Sequence, residues 1–308
     1  MFRRTRWSAH LQIGFGLVIL GLVLYGAVQQ WPRIQPVLAE LRWGWMAGVM
    51  LVQMGCLLVL PGPLWVWLAS QQKTFTFLEA ARIFFLSQPA KYLPGGIWAF
   101  PAKGLLLKQR GFSNQVTAGA ILYETLALCS GALVLGSLAS DIAIVDLRWI
   151  AAGGVVLGWV AMLILLKPPG ALARLPEKWR LASSEPITLG AAAWKATLSL
   201  AVASAGWVLA GAAFYMTLLA LGVPPGADIA LVSIASFAIS WLLGFVVFLS
   251  PGGVGVREAS LVLLAGGAVA APILYPAAIL SRLLWSLGEL MLYFYFSGPW
   301  RRPPQKNA

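Results

Sequence analysis

One histidine, two cysteines and ten acidic residues are all that these 308 residues offer to the usual active-site chemistries. With His10 alone, and close to the start of the chain, histidine dyads, triads and zinc sites are excluded apart from a contribution by that residue. Cys56 and Cys129 each sit inside an apolar run, with neither a disulfide framework nor metal-ligand spacing, and read as small core residues. No Walker loop, Rossmann fingerprint, nucleophile elbow or zinc-protease motif occurs, and the one glycine-rich stretch, GGVGVREA, has no third glycine and no βαβ setting. Neither a catalytic residue nor a cofactor or metal is therefore expected. Charge is scarce as well: 10% of residues are charged against 60% hydrophobic, a balance that fits no ordinary soluble class.

What is present is apolar and long enough to cross a bilayer, which takes roughly 20 mostly apolar residues. Runs at 11–28, 43–69, 115–139, 149–166, 196–221, 228–249 and 276–296 qualify as spans. The first follows Arg3, Arg4 and Arg6, but residues 25–30 lack a small-residue cleavage site, so it is expected to remain as an anchor helix rather than leave as a signal peptide. The fold class predicted is an all-α polytopic transmembrane bundle of about 7–8 membrane segments. One membrane domain is expected over 11–297, between a short N-terminus (1–10) and a basic tail (298–308). Trp7, Trp31, Trp43, Trp149, Trp194 and Trp300, near the ends of runs, suit the headgroup level, whereas Trp65, Trp67, Trp207, Trp241 and Trp285 read as core.

The net charge of +12 is spread over short segments between the runs, with no basic domain to track a phosphate backbone, so nucleic acid is not a predicted partner and anionic lipid is. Alternating sides from a cytoplasmic N-terminus leaves only Arg33, Arg42 and Arg148 outside, with Arg282 inside the last span. Both termini are then expected in the cytoplasm of a multi-pass cell-membrane protein. That count also requires the segment 75–104 to enter and leave on one face. Pro89, Pro94, Gly95, Gly96 and Pro101 should prevent it from forming one continuous helix, as Pro61-Gly62-Pro63 should kink the span before it. A second break is expected at 250–255, with a shorter apolar stretch at 259–271 after it.

The two breaks share a pattern: Phe84-Phe85-Leu86-Ser87 before Pro94-Gly95-Gly96, and Phe248-Leu249-Ser250 before Pro251-Gly252-Gly253. This is a weak internal repeat, of the kind that transporters with inverted repeats carry where interrupted helices meet inside the membrane. Non-helical backbone at that depth must be buried in protein or line a wet cavity; the alternative is a pair of surface loops. Four acids lie in or beside apolar segments, Glu79, Glu124, Glu258 and Glu289, and charge there is costly. Glu124 is the deepest, on a helical face with Thr117, Ala120, Ala127 and Gly131, and reads either as a packing residue or as a cation partner or proton carrier. Arg282, Ser286, Glu289 and Tyr293 share one face of the last span, and Glu258, Glu289 and Glu124 are all open as partners of Arg282. Arg257-Glu258 should start the half-helix after the second break.

On these residues the chain resembles a known family. SPGGVGVREASLVLL is similar to the late signature of the flippase-like membrane domain of lysyl-phosphatidylglycerol synthases, and KYLPGGIW to its earlier one. The resemblance assigns Pro94, Gly95, Gly96 and Trp98 to one family segment, Pro251, Gly252, Gly253, Gly255, Arg257 and Glu258 to the other, and Glu124 to an acidic family position. Thr125 stands where many relatives have Arg. It implies movement of lipid or lipid-linked headgroups between leaflets, here without an aminoacyltransferase domain, for which the residues outside the spans are too few. Lys91, Arg257 and Arg282 are the expected headgroup or counter-ion contacts, with Glu124, Glu258 and Glu289 setting local charge. The rival reading is a membrane scaffold that docks a separate glycosyltransferase or lipid-modifying enzyme through the basic linker 167–195; an intramembrane transferase has no nucleophile–base pair to support it.

Overall fold

The computed structural model describes residues 41–72, 74–93, 97–138, 147–168, 187–247 and 255–298, with four isolated positions before them. The expected first span, both Pro-Gly-Gly triplets, most of the basic linker and the tail lie outside the described residues. Every regular element among the described residues is helical. In chain order these are α1 (Gly44–Val59), α2 (Gly62–Gln71), α3 (Phe77–Ser87), a 3-10 turn (Gln88–Tyr92), α4 (Ala99–Gln109) and α5 (Asn114–Leu138). There follow α6 (Leu147–Leu166), α7 (Leu189–Ala220), α8 (Ala227–Val246), α9 (Val256–Ala265) and α10 (Ala271–Ser297).

Six helical stretches are long and apolar enough to cross a membrane, with α1 and α2 counting as one, so the chain is an integral membrane protein. Leu60 and Pro61 separate those two, because Pro61 and Pro63 cannot donate to the preceding turn and both fall where a new helix starts. Proline acts alike in α4, which holds Pro101 in its first turn, and in α10, which starts at Ala271 rather than near 276 because Pro272 occupies a position that needs no N–H. α7 also starts early: the Thr188 hydroxyl accepts from Ala191 N at 3.2 Å, and three alanines carry the helix on from there. Lys195 is thus helical and not part of a linker. The stretch expected at 259–271 is α9, closed by the turn at Gly266 and Gly267.

α7 is the hub, packed on α1, α5 and α8. Its buried small residues, Ala192, Ala196, Ser199, Ala203, Gly206, Ala210, Ala213 and Thr217, recur at alternating spacings of four and three. That seam lets helices approach closely where lipid supplies no hydrophobic drive between them. Gly131 of α5 shows how close: a Cβ there would stand 2.8 Å from the Ala203 Cβ and 2.9 Å from the Ser204 backbone nitrogen. Where two indoles are buried, their N–H groups find backbone carbonyls, Trp207 on Leu128 at 2.8 Å and Trp67 on Val116 at 3.3 Å.

Among the described residues the tryptophans sort as the sequence suggests, while Trp7, Trp31 and Trp300 lie outside them. Trp43, Trp149 and Trp194 are 65%, 77% and 67% exposed, whereas Trp67, Trp207 and Trp285 are buried and Trp65 and Trp241 pack against the core from its edge. Cys56 is fully buried; Cys129 is only partly so.

α3 and α4 form a hairpin. Each has 11 residues, a rise of about 16 Å and so roughly half the hydrocarbon core. The ends of the hairpin meet, with the Phe75 and Phe112 rings 5.5 Å apart and Arg110 paired to Glu79, so the chain returns to the end of the bundle where it entered. α9 is the other half-length helix. It packs back along α8, and the Arg257 side chain in its first turn lies over Phe237, the eleventh of the 20 residues of α8. The two interrupted regions therefore differ in their arms: two short ones in the first, one full-length and one short in the second.

Candidate functional site

Where the 3-10 turn, α4, α5, α8, α9 and α10 converge lies a cavity of about 140 Å³. The turn brings Lys91 and Tyr92, α4 brings Phe100 and Lys103, and α5 brings Glu124, Thr125 and Leu128. Opposite stand Trp241 and Phe245 of α8, Arg257 of α9, and Arg282, Trp285 and Ser286 of α10. Glu124 is the eleventh residue of α5 and Trp285 the fifteenth of α10, about 15 to 20 Å along each helix from its start, so the cavity is deep in the bundle.

Burying a charge is costly unless a partner offsets the lost water, and each interior carboxylate here has one. Lys103 Nζ donates to both oxygens of Glu124, at 2.5 and 2.6 Å, with the side chains 7% and 3% exposed. The same ammonium lies 5.0 Å from the centre of the Phe84 ring. Lys91 pairs with Glu289, which also accepts from Tyr92 Oη at 2.9 Å and from Trp285 Nε1 at 2.7 Å. Tyr92 Oη is also 2.8 Å from Ser286 Oγ, so the tip of the hairpin is tied to α10 by three hydrogen bonds, one from Lys91 and two at Tyr92. Arg282 Nη1 donates to Glu258 Oε1 at 2.7 Å, and the other oxygen of Glu258 accepts the Gly255 N–H at 2.6 Å. That last bond closes the N-terminus of α9 and needs Gly255 at φ +86°, a backbone conformation that glycine takes at little cost.

Arg257 is the exception. Its guanidinium is stacked over Phe237, 4.7 Å from the ring centre, and near Trp285, at 5.2 Å. Among the described residues, the buried Nη2 has no hydrogen-bond partner and Arg257 makes no ion pair. Four cations thus face the cavity against three carboxylates around it.

Of the residues singled out in the sequence, Lys91, Glu124, Arg257 and Arg282 line the cavity, and Glu258 and Glu289 hold two of its cations. Among the three partners open to Arg282, Glu258 is the one it takes in the ion pair described. Gly255 stands at the start of α9, beside the site. Trp98, at the N-cap of α4, is 48% exposed and does not line the cavity. Pro94, Gly95, Gly96, Pro251, Gly252 and Gly253 are outside the described residues. Glu79 stands apart at the base of the hairpin, where it forms a capping box with Thr76 and pairs with Arg110. Burial there opposes its charge, but the Thr76 N–H and the Arg110 guanidinium outweigh burial and hold the carboxyl below its ordinary range.

Lys103, Tyr92 and Trp285 were missed. Lys103 carries the same signal as the acids, a lone charge in an apolar stretch, yet it reads as a cytoplasmic-side cation when it is counted with the charges of the segment 75–104 that enters and leaves on that face. Trp285 lies four residues before Glu289, one helical turn away and within reach of its carboxylate.

Fold and site together define a polytopic helical membrane protein with an ion-paired polar cavity at the meeting of interrupted helices. The chain belongs to the lysylphosphatidylglycerol synthase TM region family, which matches it over residues 11–287. None of the curated proteins matches it.

Proposed function

We propose that the protein moves lipid or lipid-linked headgroups between membrane leaflets without ATP, its polar cavity serving as the headgroup site. The observation that carries this reading is the cavity itself: a site with four cationic side chains, deep in a bundle whose outer surface is apolar. Interrupted helices that converge on such a site are the usual way for polar groups to be held at bilayer depth. Charge there is expensive, and intramembrane charge that faces a cavity marks a substrate or ion pathway more often than a packing contact. In a leaflet-exchange assay, vesicles carrying the purified protein and fluorescent phospholipid in both leaflets should lose all their signal to an impermeant quencher. Glu124→Gln and Arg257→Ala should slow the exchange by about tenfold, the effect of roughly 1.4 kcal/mol. Unchanged exchange in both variants removes this site; no exchange with the wild-type protein removes the reading.

We propose further that the protein lies in the cell membrane with both termini in the cytoplasm, a reading that the distribution of Lys and Arg supports. Lys91, Lys103 and Arg257 face the cavity and drop out of the loop charges, but Lys108 and Arg110, at the base of the hairpin, keep the bias on that side. Alkaline phosphatase fused after Gln109 should be inactive. High activity there would reverse the orientation.

A further inference from the structure

We infer that the cavity takes a phosphoryl anion, anchored by Arg257, and rejects headgroups that carry an ammonium. This rests on the reading of the cavity as a headgroup site and narrows it to one chemical class. Among the described residues, each of the three carboxylates around the cavity is already engaged by a lysine or arginine, so the charge left over there is positive and belongs to Arg257. An anion completes that set; an incoming ammonium would meet four cations and find each of those carboxylates occupied.

The stacking of Arg257 adds geometry to charge. With its face against Phe237 and Trp285, the guanidinium has its edge left for recognition, and Nη2 on that edge is the buried donor without a partner. A planar fork of N–H groups matches two oxygens of a phosphoryl group, and Lys91, Lys103 and Arg282 share the same walls as further donors. Size agrees. A cavity of about 140 Å³ is close to one of about 150 Å³ that accepts a benzene-sized guest. It has room for a phosphoryl group and a small substituent, not for an extended aminoacyl headgroup or acyl chains.

The test is a binding titration on the full-length protein in phosphatidylcholine nanodiscs, read by the fluorescence of tryptophans that include Trp241 and Trp285 in the cavity wall. The probes are inorganic phosphate, short-chain phosphatidylglycerol and short-chain lysyl-phosphatidylglycerol. Saturable binding of phosphate or phosphatidylglycerol is expected, with the lysyl lipid weaker by roughly ten- to hundredfold, the worth of one or two charged hydrogen bonds. Which of the first two binds more tightly assigns the anion to a lipid or to a free source. Arg257→Gln should weaken binding by a similar factor and Arg257→Lys by less. Equal affinity for both lipids, a comparison that needs no variant, overturns the inference, as does unchanged binding by Arg257→Gln. Anion binding without leaflet exchange would sink the transport reading and leave this one standing; exchange indifferent to headgroup charge would do the reverse.

Discussion

Glu124→Leu should lower the stability of the purified protein sharply, while the double variant Lys103→Met, Glu124→Leu should recover most of what is lost. Removing one member of a buried ion pair leaves the other charge unpaired, typically at a cost of about 3–5 kcal/mol; removing both leaves a hydrophobic contact that is often neutral or better. Lys103 and Glu124 meet the conditions for the large effect, since both side chains are nearly inaccessible and both carboxylate oxygens are engaged by the one ammonium. Methionine is close to the lysine stem in shape, and Phe84 lies alongside to receive it. Thermal unfolding in detergent, followed on all four members of the cycle, gives the coupling between the two residues directly. If the single variants match the wild type, water in the cavity is solvating the two charges separately, and the pair is not what holds α4 on α5.

The sequence disclosed charge more readily than partnership. Glu124, Glu258, Glu289 and Arg282 stand out because ionisable residues are rare in apolar runs, and all four prove to be engaged inside the bundle. Which cation meets which acid was not legible: Lys91 and Glu289 lie 198 residues apart, and only the packing of the hairpin against α10 brings them together. The hairpin itself was half legible. Its prolines and glycines announce a break, and the loop charges require a return to one face, yet the bounds of the two arms are not legible, because Pro89 and Pro101 rule out one continuous helix without showing where each shorter one begins. Both are accommodated at the starts of helical turns, where a missing N–H costs nothing. The heptad of small residues along α7 was in plain sight as well. It went unread because in a membrane span alanine looks like any other apolar residue until a neighbouring helix shows what its small size is for.

Glu289→Gln should release the tip of the hairpin from α10. The glutamate accepts from Lys91, Tyr92 and Trp285 together, and glutamine can keep one or two of those hydrogen bonds but not the charge. Lys91 would then join Arg257 as a second cation in the cavity without a carboxylate partner among the described residues. Its side chain is 23% exposed, so solvent screens part of the loss, and the effect should fall below that of breaking the Lys103–Glu124 pair. A reporter at the tip makes the release measurable. Ala90 is buried there, and Ala90→Cys, in a background without Cys56 and Cys129, should react slowly with an impermeant maleimide. Adding Glu289→Gln should speed the reaction by roughly ten- to hundredfold, in line with about 1.5–3 kcal/mol for a charged hydrogen bond. Tyr92→Phe, which removes a hydroxyl and no charge, should change it only a few-fold. If the two variants react alike, hydrogen bonding rather than charge pins the tip. If neither reacts faster than the parent, the hairpin is held by the packing of α3 on α10, where the Phe85 and Phe296 rings stack 5.6 Å apart, and its charged tip is free to serve the headgroup alone.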